Sequence, residues 1–420
     1  MLSKINSDIL GPLLIFILSG GGIYLLIYLR FKPFLKFGSL FKKMSNSKGA
    51  FKALCLSLSG TLGVGNIAGV ASAIVIGGPG TIFWMWIFGI LAMIIKYAEV
   101  VLSMHYSDGK GGGAASYIKN GLKSKKGAFL FSVLVIISSI GVGNTIQSSA
   151  AAESMLACFG TPKIITGILF AVLTLLLISG GVKRVENFSA LIIPLLSLGY
   201  VIISLCIIIV NHSLLPSILK MIFSEAFSFK AIGGGTGGYL IIRSMRLGAA
   251  RGILSNEAGC GTASYAHCNS KAAPAVQGMF GIIEVFVDTI LLCSLTAFVV
   301  LITMPVTSDE GGMITAINSY SYFNNSGGEF IGISAAIYAL ASVVCWSYYG
   351  VSAIKYIGGK RKACVLYVLI YSAAGILGSV FSPSLIWEIS DITISLLAVF
   401  NTICILKLSK KVKEVTDKII

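Results

Sequence analysis

Apolar residues run through this chain in long uninterrupted stretches, with no alternation of period two along them. Runs of 18 or more residues with almost no charge recur, and each matches the ~20 residues needed to cross a ~30 Å hydrocarbon core. In lipid a single segment satisfies its backbone only as a helix, and the missing alternation excludes a closed barrel, so the pattern predicts an all-α polytopic membrane protein. Eleven spans are expected, near 9–30, 51–77, 79–106, 127–158, 161–181, 187–211, 231–266, 274–304, 329–357, 361–380 and 384–407. Short loops join them, so residues 1–420 read as one integral membrane domain with a basic tail at 408–420. The first run has full span length and no small-residue cleavage site after it, which predicts a span and not a leader.

Two of these runs carry interruptions that a membrane helix should avoid. The stretch "SGTLGVGNIAGVASAIVIGGPG" (59–80) has seven glycines among 22 residues, with Asn66 at mid-depth and a hydroxyl at Thr61. Glycine costs about 1 kcal/mol in a helix interior relative to alanine. Irregular backbone at membrane depth survives only against protein or a water-filled cavity. The ordered x-G-x-G-N spacing and the buried amide favour an unwound break over close helix packing. A break frees carbonyl oxygens on one side, which suit a bare cation, and N–H groups on the other, which suit a carboxylate. The second interruption, "AIGGGTGGYLIIRSMRLGAARGILSNEAGCGTASYAHCN", places Ser255, Asn256 and Glu257 in the seventh expected span. Two interrupted segments at corresponding positions are the sequence signature of a transporter built from inverted repeats. Five spans at 51–211 and five at 231–407 form antiparallel halves, and the helix at 9–30 stands outside them.

Composition agrees: 56% of residues are hydrophobic and only 11% charged, where a soluble domain carries about 25% charged residues. The net charge of +16 does not indicate nucleic acid. Most Lys and Arg lie in alternate loops and in the tail "KLSKKVKEVTDK", while Lys4, Lys163, Lys220 and Lys230 lie opposite with Asp309, Glu310 and Glu329. By the positive-inside rule the C-terminus is cytoplasmic and the N-terminus outside, in a plasma membrane. The nine cysteines and three histidines show no metal-binding spacing, so the thiols read as small buried apolar groups.

Intramembrane polar groups are functional candidates because burying them is costly. They include Lys96 with Glu99, Gln147, Glu153, Glu284, Asp288, Trp346 and Asp391. Lys96 and Glu99 are three apart on a helix and are expected to neutralise each other as a structural clamp. Asp288 is either a proton site or a bonding partner for a neighbouring span. Gln147 can both donate and accept, which suits a zwitterion or a bond between helices.

The stretches "GTLGVGNIAGVASAIVIGGPGTIFWMW", "RGILSNEAGCGTA", "QGMFGIIEVFVDTILLCSLTA", "GGVKRVENFSALIIP" and "CWSYYG", in order from about 51 to 407, resemble the alanine or glycine:cation symporter family. The resemblance implies the leucine-transporter fold with an extra first helix, and sodium-coupled uptake of alanine or glycine. It carries substrate contacts onto Thr61, Gly63, Val64, Gly65, Gln147, Ser255, Asn256 and Trp346. It also carries a sodium site onto Ser59, Leu62, Ser342 and Cys345. Sodium would be the coupling ion, with no cofactor. Two departures stand out: Val64 replaces a hydroxyl residue, and Val351 replaces an acid. A proton-coupled symporter of another small solute is the alternative. A channel is disfavoured by paired broken helices, and an intramembrane hydrolase by the lack of a Ser-His or metal-ligand set.

Overall fold

The computed structural model describes residues 9–38, 49–109, 111–227, 236–303, 311–381 and 383–419. The expected start of the seventh span at 231–235 lies outside these residues. So do Lys4, Lys43, Lys230, Asp309 and Glu310, all of which carry the expected sidedness. Among the described residues the chain is helical, without strands. Helix α1 (Gly11–Tyr28) precedes a broken second span, α2 (Ala50–Thr61) and α3 (Val70–Gly77), and then α4 (Gly80–His105). Next come α5 (Lys125–Ile140) with α6 (Ile146–Phe159), then α7 (Lys163–Ser179), α8 (Gly181–Val210) and a surface helix, α9 (Leu215–Ala226). The second half holds α10 (Thr236–Asn256), α11 (Ala263–His267), α12 (Pro274–Val285), α13 (Ser294–Thr303) and the short α14 (Gly312–Tyr320). It closes with α15 (Asn325–Tyr356), α16 (Arg361–Val380), α17 (Pro383–Lys407) and α18 (Ser409–Asp417).

Among the described residues, eight helices, counting α5–α6 and α12–α13 each as one, are long and apolar enough to cross a membrane, and the pair from Ala50 to Gly77, bent by 53°, makes a ninth. The remaining two expected spans correspond to α7, an apolar helix shorter than 18 residues, and to the interrupted α10–α11. The count of eleven therefore stays an expectation, while the all-helical polytopic architecture stands.

Packing sorts the helices. The most apolar windows of α4, α12–α13 and α15 are 78%, 72% and 83% buried, so these helices form the centre. Those of α1 and α8 are 28% and 22% buried and turn outward. The junction between α3 and α4 is set by backbone chemistry. Gly78 has φ +76°, a value other residues adopt at a cost, and Pro79 fixes the entry to α4. A Cβ on Gly80 would stand 2.6 Å from the Ala226 nitrogen, so α9 packs against bare backbone there.

Within the spans the described helices widen from α-helical to π-helical pitch at Gly65–Gly69, Gly141–Thr145 and Phe286–Cys293. Such turns leave backbone groups without their usual partners and often mark functional sites. The first extends an expected break. The other two fall in spans expected to be continuous, and a legible signal preceded one of them: Gly63-Val64-Gly65-Asn66 recurs as Gly141-Val142-Gly143-Asn144. The breaks are also shorter than expected. Gly60 and Thr61 remain helical, leaving 62–64 irregular, and the second break spans 257–262. Of the polar groups expected inside the bundle, Glu153 and Asp391 are only part-buried; Asp391 lies 3.7 Å from Arg251.

Candidate functional site

At the end of α2 the helix stops bonding to itself. The Gly63 N–H turns to the Thr61 carbonyl at 2.9 Å, and the Val64 N–H donates to Gln147 Oε1 at 3.2 Å. In a continuous helix those donors would serve the carbonyls of Ser59 and Gly60, four residues back. Both oxygens thereby lose their helical donors. Ser342, fully buried on α15, donates its hydroxyl to the Gly60 carbonyl at 2.9 Å. The Cys345 thiol lies 3.1 Å from the Leu56 carbonyl, one turn along. Of the expected sodium ligands, Ser342 reaches α2 at Gly60, which lies between Ser59 and Leu62 in the chain. Cys345 is spent on α2, and the Ser59 hydroxyl donates to the Leu56 carbonyl. Gly60 was missed, although its carbonyl is the one that takes the Ser342 hydroxyl.

Gln147 reaches this break from α6, and Gly63 admits it: a Cβ on Gly63 would stand 2.6 Å from Gln147 Oε1. Gly65 admits α10 in the same way, since its Cβ would stand 3.2 Å from Ser255 Cα. Gly143 receives Trp346, whose Cβ and ring atoms would lie within 2.6 Å of an added Cβ. The buried Trp346 indole N–H donates to Glu257 Oε1 at 2.9 Å, tying α15 to the second break. Glu257 has φ +51°, the left-handed conformation that side chains other than Gly and Asn seldom adopt. Thr61, Val64, Ser255 and Asn256 are all buried. A void beside the first break, lined in part by Leu62, Gly63, Asn66 and Tyr200, measures about 10 Å³. That is room for about one water.

Asp288, in the wide turn after α12, joins the wide turn that follows the first break to the end of α10, just before the second. Its Oδ1 accepts from Asn66 Nδ2 at 2.7 Å, and its Oδ2 accepts from Ser255 at 2.7 Å and Thr289 at 2.8 Å. Asn256 Nδ2 donates to Thr289 Oγ1 at 3.0 Å. Of the two readings left open for Asp288, the geometry displays the bonding partner. Asn66 Oδ1 is buried with no hydrogen-bond partner among the described residues. An unmet buried acceptor costs about 1–3 kcal/mol, so this oxygen is ready for a cation or an ammonium group.

The expected Lys96–Glu99 clamp is corrected. Lys96 Nζ pairs with Glu284 at 2.9 Å and donates to the Asn256 carbonyl at 2.8 Å. Glu99 accepts instead from the backbone N–H of Gly261 at 3.0 Å and of Ser264 at 3.3 Å, and from Asn401 at 3.3 Å. The broken chain offers each charge a buried backbone partner that a continuous helix would have kept for itself.

These broken, crossing helices match a known fold. A crystal structure of MhsT in complex with L-phenylalanine superposes with a TM-score of 0.63 at 14% identity, covering 86% of this chain and 88% of that one. The shared architecture is the leucine-transporter fold. The model of the sodium:alanine symporter family matches residues 1–419. The chain belongs to that family. The sodium/alanine symporter AgcS of Methanococcus maripaludis is 33% identical, over 97% of this chain and 94% of its own length. The amino-acid carrier protein AlsT of Bacillus subtilis is also 33% identical, over 97% and 89%. As a family member this chain is a multi-pass membrane transporter and not an enzyme, a cation-coupled amino-acid symporter by class.

Proposed function

We propose that this symporter carries alanine or glycine into the cell with sodium, by alternating access between two antiparallel five-helix repeats, 51–211 and 231–407. The supporting observation is the first break, where Ser342 on α15 meets a carbonyl of α2 that has lost its helical donor. A cation placed there bridges α2 to α15, two helices that a substrate-loaded cycle must bring together and part. As the site opens, the substrate carboxylate takes the Val64 N–H from Gln147 Oε1, and its ammonium takes the released Gln147 oxygen and Asn66 Oδ1. Thr61, Val64, Ser255, Asn256 and Trp346 complete the walls, and their bulk limits the side chain to hydrogen or methyl. The relative named a sodium/alanine symporter points the same way.

Purified protein in proteoliposomes should accumulate labelled alanine under an inward sodium gradient, with glycine competing and leucine not. Full uptake in sodium-free buffer under a pH gradient would replace this reading with proton coupling. Asp288 favours that second reading: it is a fully buried carboxylate bonded beside both breaks, placed where a proton would loosen them together.

A further inference from the structure

The two ends of the second break are held by opposite charges from a single helix turn of α4. On the near side, the Lys96 ammonium donates to the Asn256 carbonyl at 2.8 Å, where α10 stops. On the far side, the two oxygens of Glu99 accept from the N–H groups of Gly261 and Ser264, where the chain re-enters helix. Lys96, Glu99 and Asn256 are all buried within the bundle. Between the two ends the backbone passes through left-handed conformations at Glu257, Gly259 and Gly261, so it cannot supply these hydrogen bonds from a regular turn.

Other contacts anchor the two charges themselves. Glu284 pairs with Lys96 at 2.9 Å and lies 3.5 Å from His267 Nε2. Asn401 donates to both Glu99 and the Gly259 carbonyl, and it accepts from the Tyr117 hydroxyl. A cation on a C-terminal carbonyl and a carboxylate on free N–H groups each match the partial charge they face. Reversing them would set like against like at both ends.

We propose that Lys96 and Glu99 are positioning residues for transport, each holding one lip of the break so that Ser255 and Asn256 face the substrate. They act through the backbone, with no direct ion pair between them among the described residues. The assignment of Ser255 and Asn256 rests on the functional reading above, whereas the hold on the backbone does not. Amide hydrogen exchange of the purified full-length protein tests that hold whatever the substrate. Glu99→Gln, which keeps one acceptor oxygen for two amides, should speed exchange at Gly261, Ser264 or both by about 10–100-fold, the value of a charge-assisted hydrogen bond, while exchange in Arg361–Val380 stays at the parent rate. Unchanged exchange at those two amides would overturn the proposal, and so would equal acceleration throughout the protein.

The charge exchange Lys96→Glu with Glu99→Lys separates the two roles. An ion pair survives being turned round; two backbone holds do not. The exchanged protein should therefore show fast exchange at Gly261 and Ser264, and recovery to the parent rate would refute the proposal. If the exchanged protein does not fold, Glu99→Gln alone decides. Lys96→Gln should raise the KM for alanine uptake more than it lowers the maximal rate, with Lys96→Arg restoring it. Absence of alanine uptake by the parent would discredit the substrate assignment and leave the exchange result standing.

Discussion

Ser342 shows how one hydroxyl is given consequence by its surroundings. Buried on α15, it is the donor that replaces the missing helical partner of Gly60. Ser342→Ala removes that donor and one oxygen of the cation site proposed here. A buried carbonyl left short of a partner costs about 1–3 kcal/mol, or roughly a 5–150-fold change in an equilibrium constant. The sodium concentration for half-maximal uptake should rise on the order of tenfold, with the alanine KM at saturating sodium changing less. An unchanged sodium dependence would remove Ser342 from the ion's path. Trp346 is the second such residue, because it fills the space over Gly143 while its N–H satisfies Glu257. Trp346→Ala opens volume and should admit larger side chains, whereas Trp346→Phe keeps most of the bulk and leaves Glu257 without its indole donor. Competition assays with leucine discriminate the two: inhibition should appear in the alanine variant and stay weak in the phenylalanine variant.

Helices in this protein are most informative where they fail. The breaks at 62–64 and 257–262 and the wide turns at Gly65–Gly69, Gly141–Thr145 and Phe286–Cys293 fall within the spans. Asp288 links two of these turns and the end of α10 by accepting from Asn66, Thr289 and Ser255. An amide at this position cannot accept from all three donors, since one of its two heteroatoms becomes a donor itself. Asp288→Asn should therefore uncouple these segments and lower the initial uptake rate by about 10–100-fold, the scale of a lost charge-assisted hydrogen bond. Yield and thermal stability should fall far less, because the central helices keep their apolar contacts. Activity retained at the parent rate would show that the three donors find other partners.

At the scale of the whole molecule, the segment that follows α1 meets the tail helix. Lys32 pairs with Asp417 at 2.7 Å, Lys413 lies 4.9 Å over the Tyr28 ring, and the Thr416 hydroxyl bonds Tyr97 at 2.9 Å. The end of α1 and the tail helix α18 therefore share one face of the molecule. The positive-inside rule leads us to expect that face in the cytoplasm. A cysteine replacing the exposed Lys418, in a background without the nine native cysteines, should resist impermeant thiol reagents in intact cells and react in inverted vesicles. Labelling from outside would invert the topology.

Long apolar runs determined the helices, because lipid leaves a backbone no partner but itself, and that constraint acts locally. Glycine spacing determined where the second and seventh spans break, for the same local reason. The turn at Gly141–Thr145 was equally legible in the repeated Gly-Val-Gly-Asn but went unread, since its helix bends less and continues to Phe159. The partners of the buried charges were a different matter. Lys96 and Glu99 look like a pair when only their spacing on one helix is known. Their partners, Asn256, Gly261, Ser264 and Glu284, lie on segments more than 150 residues away. Only packing of those segments against α4 decides between a side-chain charge three residues off and a backbone group orphaned by a distant break. The same holds for Gly60, whose freed carbonyl exists because Gln147 draws the Val64 N–H away. Local patterning thus set the elements and their interruptions, and tertiary contact set which interruption each polar group serves, because a buried hydrogen bond is assigned by proximity in space.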